Sequence, residues 1–178
     1  MMNCFQERGV RLVAITLMSL GLLACGKEQE TQVVREPVAF HPDDECHVCG
    51  MAITEFDGPK GQSVGNAGVR KFCSTAEMLG WWLQPENRIS DVSLFVHDMG
   101  QSEWSAPDDA HLIDATTAYY VTGISLKSAM GASLASFKDE AAAQALADEH
   151  GGRVLRFEDI DQELLQQAAS SQHGHGMH

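Results

Sequence analysis

The residues Cys46-His47-Val48-Cys49-Gly50-Met51 gather two thiols, an imidazole and a thioether within one turn or loop. Soft sulfur donors suit Cu(I), whereas harder ions are held by carboxylates. A Cys-x-x-Cys pair alone also reads as a disulfide or as half of a zinc site. The methionine two residues after Cys49 tips the set toward copper. Gly50 permits an unusual backbone angle, which lets the sulfurs on either side of it turn toward one point. If the segment is extended, Cys49 and Met51 share a side and His47 faces the other way. Cys49 and Met51 are therefore the leading ligand candidates. Cys46 is a third ligand or a disulfide partner for Cys49, and His47 is an auxiliary donor.

Met130, in Ser128-Ala129-Met130-Gly131, falls in a Gly-rich loop between two expected strands. That is a poor place for a core residue, so Met130 is a candidate ligand from the second half, although Met also fills irregular gaps. Met99 invites the same reading. Met78 stands at helical spacing with Trp81 and Trp82 and reads as core, and Cys73, beside Phe72, reads as a buried thiol. His41, His97, His111 and His150 are scattered and read as structural or exposed. The closing His173, His175, Met177 and His178 form a metal-prone tail, a candidate auxiliary site. Phosphate loops, Gly-x-Ser-x-Gly and His-Glu-x-x-His are missing, so no enzyme activity is expected.

The elements that must position these groups begin after an export signal. Arg8 and Arg11 precede an apolar run from Leu12 to Ala24, too short for a permanent span and fitting a signal-peptide core. It ends in Leu22-Leu23-Ala24-Cys25, which resembles a bacterial lipobox. The expectation is a signal peptide over 1–24, a lipid on Cys25 and a periplasmic location, with Gly26 favouring the outer membrane. Residues 25–40 are polar, contain Pro37 and read as a lipid-attached linker. Of five cysteines, Cys4 leaves with the signal and Cys25 is acylated. Cys46, Cys49 and Cys73 remain, and three thiols cannot all pair, which in an oxidising compartment points to metal or redox work. The chain carries 12 Lys and Arg against 25 Asp and Glu, a formal charge of −13. This excess of acid argues against nucleic acid, whose affinity rests on basic contacts to phosphate. It fits a well-solvated exported domain that attracts cations or a basic partner.

Turn signals at Gly58-Pro59-Lys60-Gly61 and Ala67-Gly68 bound two short strands, near 62–66 and 69–73. Ser74 or Thr75 caps a helix that runs to Leu83 and stops at Pro85, and alternation over Val92 to His97 marks a third strand. The order recurs downstream: strands at 118–124 and 133–137, a helix over 139–150 stopped by Gly151-Gly152, a strand at 153–157 and a terminal amphipathic helix over 158–169. The expected fold is α+β, two related ββαβ units side by side. The first, over 41–110, carries the cysteine motif; the second covers 111–170, and 171–178 form the tail.

The lipobox, the acidic spacer, the Cys46–Met51 motif, Lys71-Phe72-Cys73-Ser74, Phe95-Val96-His97-Asp98, Ser128-Ala129-Met130-Gly131 and Gly151-Gly152-Arg153-Val154-Leu155-Arg156-Phe157 together resemble the NosL family. The resemblance covers nearly all of the chain after the signal. It implies a copper-binding lipoprotein with two ββαβ units, similar to part of organomercurial lyase. It further implies delivery of Cu(I) for the copper-sulfide centre of nitrous oxide reductase, and contact with an ABC-type maturation complex. As ligands it implies Cys49 and Met51, joined by Cys46 and Met130. Many relatives have Pro before the later Met, where this chain has Ala129, and the histidine-rich tail does not map onto the family pattern. Two other readings stand beside it. A thiol–disulfide oxidoreductase would use Cys46 and Cys49, although such pairs usually open a helix in a thioredoxin-like setting. A zinc-binding or disulfide-stapled interaction module would need four N or S ligands for zinc, and no second Cys-x-x-Cys is present.

Overall fold

The computed structural model describes residues 35–88, 91–131 and 133–173, the last three by backbone alone. The signal segment, Cys25, His175, Met177 and His178 lie outside the described residues. The fold begins with a hairpin of β1 (Gly61–Gly65) and β2 (Gly68–Phe72), antiparallel in a register running from Gly61↔Phe72 to Gly65↔Gly68. Helix α1 (Thr75–Trp82) follows, and the Ser74 hydroxyl caps it by accepting from the Glu77 N–H at 3.1 Å. Pro85 has no N–H to continue a helix but suits a first position, and it opens the single turn α2 (Pro85–Arg88). Strand β3 (Val92–His97) then pairs antiparallel with the free side of β1, and β4 (Leu112–Asp114) adds outside it, for a sheet order β2-β1-β3-β4.

The second half repeats the rule. Strands β5 (Tyr119–Thr122) and β6 (Leu134–Phe137) pair antiparallel. Helix α3 (Glu140–His150) is capped by the Asp139 carboxylate, which accepts from the N–H groups of Ala141 and Ala142, and Gly151 ends it in the left-handed conformation. Strand β7 (Arg153–Arg156) pairs with the other side of β5, giving the order β6-β5-β7, and α4 (Gln162–His173) closes the chain. In both halves the second and third strands flank the first on opposite sides, with the helix between them in the chain. This is the expected α+β arrangement of two ββαβ units, with β4 adding to the first sheet after Leu112.

Helix α1 lies so close over β1 that a Cβ at Gly61 would meet the Met78 Sδ at 2.7 Å, so only glycine fits there. The main core joins both halves: Phe72, Met78, Leu79, Leu94 and Val96 pack with Tyr120, Leu134 and Ile160. Strand alternation divides the second sheet. Tyr120 and Leu134 face that shared core, while Val121 and Ala135 form a second cluster with Phe137, Ala143 and Ala147 of α3. Each large side chain so buried contributes roughly 1.5–3 kcal/mol.

The linker read over 25–40 ends earlier than expected, because residues 35–40 are bound to the first sheet. The Arg35 guanidinium donates to the Asp91 carboxylate at 2.6 and 3.0 Å and to Asn66 at 3.2 Å. The Gln62 side-chain amide mimics a strand, accepting from the Val38 N–H at 2.9 Å and donating to its carbonyl at 2.8 Å. The Phe40 N–H donates to Asp109 at 2.7 Å, and its ring lies 5.3 Å from that of His97. These anchors are polar groups distant in sequence, so the segment shows no apolar period.

Candidate metal centre

The cysteine motif is a tight turn set along the outer edge of β2. Glu45 and Ala52 form a bridge, the Cys46 N–H donates to the Met51 carbonyl at 2.8 Å, and the Gly50 N–H donates to the Cys46 carbonyl at 2.8 Å. The His47 N–H donates to the Lys71 carbonyl at 2.8 Å, which ties the turn to β2. Lys71 also reaches back from β2 with its ammonium to Asp44 and to the Ala39 carbonyl. Gly50 takes φ 70°, the left-handed region, so the turn closes without a Cβ penalty.

This turn brings three sulfurs together. The Sγ atoms of Cys46, Cys49 and Cys73 all lie within 4.8 Å of one another, with Cys49 and Cys73 at 3.8 Å, and all three are free thiols. Cys46 and Cys73 are 2% and 0% exposed, and Cys49 is half-buried. Cys73 sits between the end of β2 and the cap of α1, so turn, strand and helix each fix a part of the site. A metal–thiolate bond of about 2.3 Å puts sulfurs in a trigonal set about 4 Å apart. The observed triangle would close on a metal ion with small shifts.

The three thiols differ in acidity. Burial pushes the Cys46 thiol up, but backbone N–H groups of Cys49, Cys73 and Val48, with the Cys49 side chain, outweigh it and bring Cys46 below its ordinary value. Burial pushes Cys73 strongly up, and the neighbouring Cys46 and Cys49 add to the rise. Cys46 is thus the more acidic of these two thiols and Cys73 the less acidic, and a bound cation would favour loss of the proton from either. Nearby, burial depresses the Lys60 ammonium to about 8 against the opposing pull of Cys73 and Asp57, which leaves it charged at neutral pH.

The sequence grouped Cys46 and Cys49, and the structure brings these two together. It adds Cys73, whose place beside Phe72 marks a core thiol; the thiol is buried, and its sulfur completes the triangle. The leftover count of three cysteines was the signal that pointed to it. Met51 is half-buried beyond Gly50, whose left-handed backbone replaces the extended geometry that would have aligned it with Cys49. His47 stands edge-on to Phe72 and Trp81, ring centroids 5.9 Å away in each case. Met130 is 51% exposed and holds φ 57°, a left-handed angle that is rare outside glycine. It lines a groove of about 430 Å³ with Val48, Glu77, Trp81, Ala129 and Leu165. Val48 is 52% exposed and lies inside the cysteine turn, so the Met130 loop and that turn border one groove. Burial raises the Glu77 carboxyl there.

The remaining described histidines act structurally or stand apart. His97 is 1% exposed; its Nδ1 accepts from the Lys60 N–H at 3.1 Å and its Nε2–H donates to Asp109 at 2.9 Å. The Cys46–Cys49 pair lies in a turn stopped by glycine, which differs from the helix start that activates a disulfide oxidoreductase.

The family model described as NosL matches residues 37–165. The chain is 66% identical over 177 residues to the copper-binding lipoprotein NosL of Stutzerimonas stutzeri, covering 99% of this chain and 93% of that one. It is 33% identical over 154 residues to the copper-binding lipoprotein NosL of Achromobacter cycloclastes, covering 83% and 78% respectively. The crystal structure of the copper chaperone NosL from Shewanella denitrificans superposes with a TM-score of 0.70 at 39% identity, over 73% of this chain and 98% of that chain.

Proposed function

The chain belongs to the NosL family, and from that premise we propose that it is a copper-binding chaperone whose cargo is Cu(I). The observation that carries this reading is the triangle of Cys46, Cys49 and Cys73 sulfurs within 4.8 Å, a soft donor set. Cys46, made more acidic by backbone N–H groups, takes the ion first, and Cys73, whose proton burial holds more tightly, loses it as the site closes. Cys49, half-buried at the rim, and the thioethers of Met51 and Met130 give a path by which copper passes through ligand exchange to an acceptor. No covalent substrate bond is made or broken, so the protein is a carrier and no enzyme.

The destination follows from the family resemblance: assembly of the copper-sulfide centre of nitrous oxide reductase, in contact with an ABC-type maturation complex. The lipobox-like Leu22-Leu23-Ala24-Cys25 supports a periplasmic protein held by a lipid at the outer membrane. An anaerobic titration of the full-length protein with Cu(I), against a chromophoric chelator, tests the carrier role. Tight one-to-one binding that disappears when all three cysteines are replaced by serine supports it. Binding that persists without these thiols refutes the site. For the destination, cells lacking the protein should accumulate nitrous oxide reductase deficient in its copper-sulfide centre.

A further inference from the structure

We propose that Lys71 is the positioning residue of the three-sulfur centre, holding the turn that carries Cys46 and Cys49 in place against Cys73. The inference deepens the copper reading above and rests on it. Lys71 lies in β2, two residues before Cys73. It grips the turn on both sides of Cys46. On one side its carbonyl accepts from the His47 N–H at 2.8 Å. On the other its ammonium pairs with the Asp44 carboxylate. Cys46 is thus bracketed by two attachments to one residue, and that residue is close in the chain to the third sulfur.

Asp44 passes the grip on through the loop. Its carboxylate also accepts from the His41 N–H at 2.6 Å, and its carbonyl accepts from the Ile53 N–H at 3.0 Å, beyond Met51. The entry and the exit of the turn therefore both lead to this ion pair. An exposed ion pair contributes little. This one is sheltered, with the Lys71 and Asp44 side chains 11% and 25% exposed. The Ala39 carbonyl accepts a further bond from the ammonium at 2.6 Å, and the centroid of the Phe40 ring stands 5.3 Å from it. A charge-assisted bond shielded from water is stronger than the same bond at an open surface.

What the grip secures is the long-range part of the triangle. Inside the turn, the bonds from the Cys46 N–H to Met51 and from the Gly50 N–H to Cys46 keep Cys46 and Cys49 together wherever the turn lies. The approach to Cys73 has no such local support, because 24 residues separate it from Cys49. Cu(I) accepts either two or three sulfur donors. Loosening the turn from β2 would leave the ion on Cys46 and Cys49 and drop Cys73 from its ligands.

The test compares full-length wild type with three variants. Lys71→Met loses the charge and the donors, Lys71→Arg keeps both, and Asp44→Asn keeps an oxygen for the His41 N–H but loses the charge. Cu(I) affinity is read anaerobically by competition with a chromophoric chelator, the number of sulfurs on copper by X-ray absorption, and the fold by thermal unfolding. Lys71→Met is expected to lose about 10–100-fold in affinity, the range for a group that orients a metal ligand. Its sulfur coordination should fall from three to two, and Lys71→Arg should restore both readings. Asp44→Asn should also lower affinity, and combining it with Lys71→Met should weaken binding no further than Lys71→Met alone. A bare charge effect on an anionic centre would instead give opposite signs, weaker binding without Lys71 and tighter binding without the Asp44 charge. That result overturns the positioning role, as does unchanged affinity or unchanged sulfur coordination in Lys71→Met. If Lys71→Met does not fold, Asp44→Asn, at the more exposed end of the pair, carries the same readings. Wild type that binds Cu(I) with fewer than three sulfurs, or away from these cysteines, overturns the three-sulfur reading, and the positioning role falls with it.

Discussion

At the scale of single residues, Cys73 separates what spacing reveals from what folding adds. Cys46 and Cys49 announce themselves by lying three apart, but Cys73 is 24 residues beyond Cys49 and meets it only because the turn lies on the edge of β2. Cys73→Ser is expected to weaken Cu(I) binding by more than the roughly 10–100-fold typical of losing an outer hydrogen bond to a metal ligand, as measured by chelator competition. Met130 makes a different point. A non-glycine residue in the left-handed region costs on the order of 1 kcal/mol, and such strain collects where function needs it. Met130→Gly should leave the urea unfolding midpoint unchanged or raised while slowing Cu(I) transfer to an acceptor. A clear loss of stability would show that Met130 serves packing instead.

At the scale of elements, local chemistry was readable and long-range anchoring was not. The hairpin, α1 with its Ser74 cap, and α3 between Asp139 and Gly151 all stand where turn residues, caps and periodicity put them. The segment from Arg35 to Phe40 was missed because its partners, Asp91, Gln62 and Asp109, come from elsewhere in the chain. Strand β4 was missed because three residues are too few to show a period. The cap of α3 offers a clean test. Asp139 accepts from two orphan N–H groups, so Asp139→Ala should cost about 1 kcal/mol in urea denaturation and leave Cu(I) affinity unchanged.

For the molecule as a whole, the response to acid is set in part by His97. Burial holds its imidazole below the ordinary value despite the opposing pull of Asp109. Below an unfolded pKa of about 6.5 the unfolded chain takes up a proton that folded His97 refuses. Its contribution is therefore complete above that pH and is lost as the pH falls below it, by at most about 1.4 kcal/mol per pH unit. Urea denaturation between pH 7.5 and 5.5 should show falling stability, and His97→Gln should flatten the slope even if it lowers stability throughout. An unchanged slope would assign the acid response to other groups.

The clamp of Arg35 on Asp91 also sets a length. With a lipid on Cys25, ten residues separate anchor from clamp, a reach of at most roughly 33–36 Å. Without the clamp the next anchor along the chain would be Val38, held by the Gln62 amide three residues further on. The bound segment thus sets a ceiling on how far from such a lipid the protein could rise, and an acceptor of the kind proposed would have to come within that height.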